Sequence, residues 1–296
     1  MDALVRKRSL AENSSKPKRK GQESDNADVA DADLRSTVLS LAKGFRVLEL
    51  FTPSESELNL SEVAKRADLD TGTAFRIIRT LVILGYLEQA EGVKRYRLAL
   101  KVVDLGFNAI ARMDLHALAR PVLRSLVGPL CEAASIGVLE GPDVIYIDRV
   151  QAGFSPLGIT RGIGSRVPAY CSAVGHAILA YLPQERSLKI LNMRERPKLT
   201  PNTPVTISEI EDRLARVRET GYAVSDQGLV LGVRALAAPI LDREGFALAA
   251  LSVGSSSFVS SLNEFANTAS KVLEGARELS HALSVSGSSA VAPRLI

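Results

Sequence analysis

From residue 36 onward, apolar residues recur first at helical spacing and then in strand alternation, and this change of period divides the chain into elements. Ser36 stands as an N-cap before Val38, Leu41, Ala42, Phe45 and Leu48, which lie along one stripe and predict a first helix ending near Pro53. Ser61 caps a short second helix opened by Leu60-Ser61-Glu62-Val63-Ala64, and Ala67-Asp68-Leu69-Asp70 breaks it before Thr71 starts a third. Two helices joined by a tight turn predict a helix-turn-helix. Gly85 then ends the third helix. Tyr86-Leu87-Glu88 and Arg95-Tyr96-Arg97-Leu98, separated by Glu91-Gly92, read as strand, turn and strand, a hairpin in the position of a wing.

Projected at about 100° per residue, the third helix, residues 71–84, separates into two faces. Ala74, Ile77, Ile78 and Leu81 share one sector, while Thr73, Arg76, Arg79 and Thr80 share the opposing one, which carries no carboxylate. Solvated surface helices mix charge signs, so an acid-free face with two arginines suits phosphates and base edges instead. Arginine grips guanine O6 and N7 bidentately, which makes Arg76 the first candidate for base readout. Alternation along the hairpin sends Tyr96 and Leu98 inward and Arg95 and Arg97 outward, with Lys94 at the tip, so the wing presents cations to flanking phosphates. Thr71, Thr73, Ala74, Arg76, Arg79, Thr80, Lys94, Arg95 and Arg97 are the candidate DNA-contacting residues.

The second half reads as α+β around a sheet. Residues 101–127 are apolar at helical spacing and predict a linker helix followed by a helix begun near Pro121, offering a surface for helix-to-helix contact in a dimer. Gly137-Val138-Leu139 and Val144-Ile145-Tyr146-Ile147 flank the turn Glu140-Gly141-Pro142-Asp143, and residues 233–241 and 246–253 repeat the arrangement around Asp242-Arg243-Glu244-Gly245. Residues 171–182 predict a helix bounded by Pro183. Ser208 with Glu211 forms a capping box for a helix that Gly221 closes, and a last helix runs near residues 261–283.

Composition narrows the function classes. A 46% hydrophobic content is ordinary for a globular protein of 296 residues, and no run of about 18 apolar residues is present to cross a bilayer. No secretory signal is evident, and Cys131 and Cys171 are the only cysteines, so a reducing cytoplasm is expected. The net charge of +4 permits nucleic-acid binding without establishing it. Residues 1–35 mix a basic half, Arg6 to Lys20, with a later acidic stretch and read as a disordered tail that either touches phosphates or is merely solvated. No G-x-S-x-G elbow, P-loop, H-E-x-x-H or C-x-x-C occurs. Cys171 and His176, five residues apart on a helix, stand some 140° apart around its axis and do not pair as nucleophile and base. His116, His176 and His281 are scattered, so no metal site, cofactor or catalytic residue is expected.

Several stretches in register resemble one family. Leu60-Ser61-Glu62-Val63-Ala64, Thr73-Ala74-Phe75-Arg76-Ile77-Ile78-Arg79-Thr80-Leu81 and Leu84-Gly85-Tyr86 are similar to the DNA-binding half of the IclR-type regulators. Asp143 to Val150, Pro168 to Gly175, Gly221-Tyr222-Ala223 and Gly232 to Ile240 resemble that family's effector domain in the same order, so the resemblance spans about residues 36 to 285. The Tyr170-Cys171 stretch and the surroundings of Thr203 and Thr206 look closest to regulators of aromatic-acid catabolism. The resemblance implies a GAF-like α/β effector-binding domain behind the winged helix-turn-helix. It carries effector contact onto Cys171, Ser172, Ala173, Val174, Ser225, Asp226, Ala235 and Ser252, where the start of the helix after Cys171 favours a carboxylate. For each hydroxyl, local backbone satisfaction is the competing role. The chain departs from the family's pattern at Gln227 and Gly228, which replace two acidic residues, and at His176, which replaces a lysine. Either the effector is unusual, or the domain responds without a tightly held ligand.

The organisation expected is a tail over residues 1–35, a DNA-binding domain over 36–99, a linker helix over 100–120, an effector domain over 121–285 and a flexible tail over 286–296. The function expected is a cytoplasmic transcription regulator, a homodimer or dimer of dimers, that binds a double-stranded DNA operator under the control of a small organic or aromatic acid. A sensor or scaffold using its helix-turn-helix for protein contacts is the alternative, and a small-molecule hydrolase a remoter one.

Overall fold

The computed structural model describes residues 37–90, 92–111, 114–128, 131–153, 162–259 and 261–286. The tail over 1–35, the Ser36 cap and the turn residue Glu91 lie outside the described residues, as does nearly all of the C-terminal tail. The chain divides into two compact units, residues 1–104 and 105–296.

In the first unit, α1 (Leu39–Glu49), α2 (Leu60–Arg66) and α3 (Thr71–Ile83) pack over a three-stranded sheet ordered β1 (Leu58–Asn59), β3 (Arg95–Leu98), β2 (Leu87–Gln89). Its core comprises Val47, Phe51, Leu58, Val63, Ala67, Ile78, Leu81 and Leu87. The stripe expected on α1 meets this core only at its C-terminal end, where Leu48 packs against it. Val47 is fully buried, whereas Val38, Leu41 and Phe45 are 64%, 59% and 51% exposed, because α1 packs through its C-terminal end. Asn59, not Ser61, caps α2. Its side chain accepts from the Glu62 amide while Glu62 accepts from the Asn59 amide, a reciprocal box two residues ahead of the expected cap. Asp68 has φ of 53°, and this left-handed residue makes the turn between α2 and α3.

In the second unit, six strands form one antiparallel sheet ordered β6 (Arg166–Pro168), β5 (Asp143–Gln151), β4 (Ala133–Glu140), β9 (Ala247–Ser256), β8 (Val233–Leu241), β7 (Ala223–Asp226). The β4–β5 and β8–β9 hairpins turn where the Gly/Pro/Asp signals place them, with Gly141 and Gly245 at positive φ. One sheet face packs against α6 (Ala173–Leu179), α7 (Gln184–Leu191) and α8 (Ile207–Thr220). The other face packs against α5 (Asp114–Leu126) and α10 (Ala269–Ser286). The chain enters this unit along α4 (Lys101–Ala111).

Three expected boundaries move. Pro121 lies inside α5 rather than at its start, so the helix opens before it and gives up one internal hydrogen bond. The capping box of α8 is Thr206 with Glu209, not Ser208 with Glu211; both pairs fit the pattern, and the earlier one starts the helix. The last helix is broken into α9 (Leu262–Ala266) and α10, with buried Thr268 bonding the Phe265 carbonyl between them.

The sheet's alternation sorts residues by size. Leu236, Ala238, Ile240, Ala249, Leu251 and Val253 pack toward α10, whereas Ala133, Ser135, Gly137, Ala235, Ser252 and Gly254 occupy the alternate positions toward α6. Small residues on one side leave a hollow under α6. At Gly137 a Cβ would lie 2.7 Å from Val174 Cγ1 and 2.8 Å from Val144 Cγ1, so α6 sits as close as a bare backbone allows.

Candidate DNA interface and effector cavity

The geometry of α3 follows from its cap and its stripe. Asp70 caps it, accepting from the Thr73 amide at 2.8 Å, and the hydroxyl and amide of Thr73 hold the Asp70 carboxyl below its ordinary value. Ala74, Ile78 and Leu81 are buried, so the exposed face comprises Thr71, Gly72, Phe75, Arg76, Arg79, Thr80, Val82 and Ile83, with Thr73 half-buried beside it. Arg76 Nη2 donates to Thr73 Oγ1 at 3.3 Å, which stands the guanidinium along the helix surface, and Arg76 and Arg79 form no ion pair with the described residues. Thr80 donates to the Arg76 carbonyl at 2.9 Å, so its hydroxyl is already used locally. Ala74, expected at the interface, is 0% exposed and belongs to the core. Phe75, 45% exposed among these polar groups, was not among the expected contacts, although its place between Ala74 and Arg76 was readable.

On the wing, Glu88 and Arg97 are directly opposed across the β2–β3 ladder, and Arg97 Nε reaches Glu88 Oε1 at 2.6 Å. Arg97 also lies 3.7 Å from Glu57, while Arg95 meets the Glu57 carbonyl at 2.9 Å and Glu62 at 3.2 Å. Arg95 and Arg97 leave the strand on its outer side, as alternation expects, with about half of each side chain exposed, and there they also brace the wing through Glu57, Glu62 and Glu88. Lys94, exposed beside Gly92 at the turn, forms no ion pair with the described residues.

The hollow under α6 is a mostly apolar cavity with about 90 Å³ open to the centres of water-sized molecules. At about 10 to 15 Å³ per water this is room for several waters or a small organic molecule. Its walls include Ser172, Ala173, Val174, Ser225, Ala235 and Ser252, six of the eight residues expected there. Cys171 and Asp226 are not among them. Cys171 is fully buried and turns only its carbonyl toward Ser225 Oγ, at 3.3 Å, and Asp226 is paired with Arg234 at 2.7 Å. Ser252 Oγ donates to the Ser135 carbonyl at 3.4 Å, and Ser172 caps α6 by accepting from Gly175 N at 3.1 Å. The first-turn amides of Ala173 and Val174 make no hydrogen bond within the described residues, as at any helix start.

Arg149 also lines this cavity, with Tyr146, Gln151 and Leu229. Sequence alternation hides it. Tyr146 faces the cavity, so strict period two would point Arg149 the other way; instead the register shifts at Ile136/Gly137, where Ile136 pairs with Asp148 and Gly137 with Tyr146. Ile147 is the extra residue of a β-bulge, which re-aims the following side chains. Arg149 Nη1 then meets Ser135 Oγ at 2.9 Å and Nη2 meets Gln151 Oε1 at 3.3 Å, a guanidinium held at the cavity wall.

Two of the departures from the family pattern, His176 and Gln227, make contacts within the fold. His176 is buried, with Nε2 2.7 Å from the Tyr170 carbonyl oxygen, and burial, reinforced by nearby Arg213, pushes its pKa down to about 4. It is neutral and fixed, its imidazole engaged by the Tyr170 carbonyl, while Cys171 Sγ lies 3.9 Å from the Pro168 carbonyl oxygen. Gln227, at φ of 56°, accepts from the Gly232 amide at 3.0 Å and closes the β7–β8 loop. Among the described residues no group of three or more His, Cys, Asp and Glu side chains could hold a metal ion, and no helix is long and apolar enough to cross a membrane.

These two sites match a known pairing. Residues 40–91 match the IclR helix-turn-helix domain, and residues 107–281 match the C-terminal domain of the bacterial transcriptional regulator IclR. The chain belongs to the IclR family of transcription regulators. The Pca regulon regulatory protein of Pseudomonas putida is 33% identical over 217 residues, 72% of this chain and 73% of that protein. A solved structure from Rhodococcus sp. RHA1, a transcriptional regulator, superposes with a TM-score of 0.75 at 30% identity and covers 84% of this chain and all of that one. An IclR homologue from Microbacterium hydrocarbonoxydans, solved with 4-hydroxybenzoate, shares the fold with a TM-score of 0.71 at 24% identity, covering 82% of this chain and 99% of its own. IclR-family relatives are transcriptional repressors and regulators rather than enzymes, including the acetate operon repressor of Salmonella typhimurium.

Proposed function

We propose that this IclR-family regulator reads its operator through α3 and the Lys94 end of the wing, and that a small organic acid, aromatic in the simplest case, modulates that binding from the cavity under α6. Residues 36–99 then read DNA and residues 121–285 sense the ligand, in the cytoplasm. The observation that carries the reading is Arg149: a guanidinium held by Ser135 and Gln151 in a wall lined otherwise by serines and apolar groups, where the one carboxylate, Glu132, is engaged by the Ser256 amide at 3.0 Å. A planar cation with fixed donors matches a carboxylate, and the apolar remainder matches a hydrocarbon body. The α6 amides at Ala173 and Val174 add donors on the opposite wall.

The assembly we propose is a homodimer or dimer of dimers, which places paired α3 helices in major grooves about 34 to 36 Å apart. The exposed apolar residues of α1 supply a surface for a second copy. Calorimetric titration with 4-hydroxybenzoate and its neutral amide tests the ligand reading. Binding of the acid, at least tenfold weaker for the amide and for Arg149→Met, is expected. Equal affinity for acid and amide, or no binding by any member of a panel of aromatic and short-chain carboxylates, would contradict it.

A further inference from the structure

The bulge that turns Arg149 into the cavity turns its neighbour Asp148 the other way, into the layer between the sheet and α5. Asp148 is 0% exposed. Its Oδ1 accepts from the Arg149 amide at 2.7 Å, so this carboxylate is fastened to the backbone of the cavity residue itself. Its Oδ2 has no hydrogen-bond partner among the described residues. Above it stand Arg120 and His116, one turn apart on the same side of α5, with Arg120 Nε at 3.4 Å and His116 Nε2 at 3.7 Å. Both distances exceed a well-formed charge-assisted hydrogen bond, at about 2.7 to 2.9 Å. A buried carboxylate with one unsatisfied oxygen is costly, and a small slide of α5 over the sheet would satisfy it. Leu115, Ala119, Val122 and Leu126 hold α5 in the core by non-directional hydrophobic contacts, with Val122 closely packed against Gly275 of α10, so the slide required is small. Through residues 112–113 the chain continues from α5 back into α4 and the DNA-binding unit.

We propose that Asp148 is a latch between the cavity and α5: charge placed on Arg149 on one face of the sheet changes how Asp148 engages Arg120 and His116 on the other. α5 then takes one of two seatings, and operator affinity follows. This deepens the effector reading above and rests on it. Asp148, Arg120 and His116 act as positioning residues, none of them touching ligand or DNA.

A double-mutant cycle in the full chain tests the latch without any ligand. Operator Kd, on duplex selected in vitro by the wild-type protein, is measured for Arg149→Met, Arg120→Met and the double variant, and again with Asp148→Asn added. The expected result is a double-variant Kd that departs at least threefold from the product of the single effects, with the departure abolished by Asp148→Asn and also lost when Arg120→Lys, which keeps the cation facing Asp148, replaces Arg120→Met. An ordinary structural ion pair would lower thermal stability and leave the effects on Kd multiplicative. Multiplicative effects within measurement error, or a departure that survives Asp148→Asn undiminished, overturn the proposal. Should Asp148→Asn not fold, the cycle between Arg149 and Arg120 decides alone. Because no effector is present, failure here leaves the cavity reading to its own calorimetry, and failure of the calorimetry leaves this result standing.

Discussion

His176 makes the effector unit sensitive to acid in a window that can be calculated. An ordinary imidazole titrates at 6.5, whereas in the folded chain burial holds this one down to about 4, with Arg213 adding to the effect and the Tyr170 carbonyl opposing it. Between those values the unfolded chain binds a proton that the folded chain refuses. Stability is therefore full above 6.5, falls as pH drops, and levels off below about 4. At about pH 5 the loss from this group alone is about 2 kcal/mol, rising to about 3 kcal/mol once both states are protonated. Asp70, Glu55, Glu209 and Glu264, whose carboxyls are held below their ordinary values, make their main contributions at lower pH, and the comparison with a variant lacking His176 removes what the other groups share, so the difference over about 5 to 6.5 isolates this imidazole. Urea unfolding followed by circular dichroism, at several pH values, is the assay, with His176→Gln as the comparison. Wild type is expected to lose about 2 kcal/mol more than the variant between about pH 7.5 and 5. Parallel pH profiles would refute the reasoning, whatever the variant's absolute stability.

Further outcomes follow from packing and charge. A Cβ at Gly175 would lie 2.1 Å from the Ala169 carbonyl oxygen, so Gly175→Ala is expected to cost about 3 kcal/mol in thermal or urea unfolding; an unchanged melting curve would contradict the close approach of α6. Arg76→Ala is expected to narrow the operator-over-random affinity ratio by about 1 to 3 kcal/mol, whereas Lys94→Ala should weaken both affinities and lower the salt slope. Equal loss on both DNAs for Arg76→Ala would show that Arg76 contacts only phosphates. Val174→Trp, whose ring would occupy the cavity, is expected to abolish the ligand response with DNA binding intact; a full response would place the ligand elsewhere.

Where one physical signal dominated, the chain could be read directly. The outward arginines of α3 were legible because a 3.6-residue stripe of Ala74, Ile78 and Leu81 defines the buried side, and both hairpins were legible because Gly141 and Gly245 sit at positive φ. Where signals competed, reading failed. Thr206 and Ser208 each precede a glutamate by three residues, and the pattern alone does not choose between them. The stripe through Val38, Leu41, Phe45 and Leu48 correctly predicted a helix, but periodicity does not say which part of a stripe is covered: Leu48 packs on the core, while Val38, Leu41 and Phe45 stay exposed among the described residues. Arg149 was missed for a different reason: a bulge inverts period two locally, and nothing in Tyr-Ile-Asp-Arg marks the inserted residue. The wing arginines were read by alternation alone, which says which way a side chain leaves the strand but not that Glu88, Glu57 and Glu62 wait on that side.

The most direct test of the account is fluorescence-anisotropy titration of the full chain against duplex from its own upstream region and against random duplex, across a salt series, with and without 4-hydroxybenzoate. Salt-sensitive binding roughly a hundredfold or more tighter on the upstream duplex is expected, as for specific complexes in general, with the ratio shifted by the acid. Equal affinity for both duplexes at every salt concentration, unaltered by any carboxylate in the panel, would contradict it.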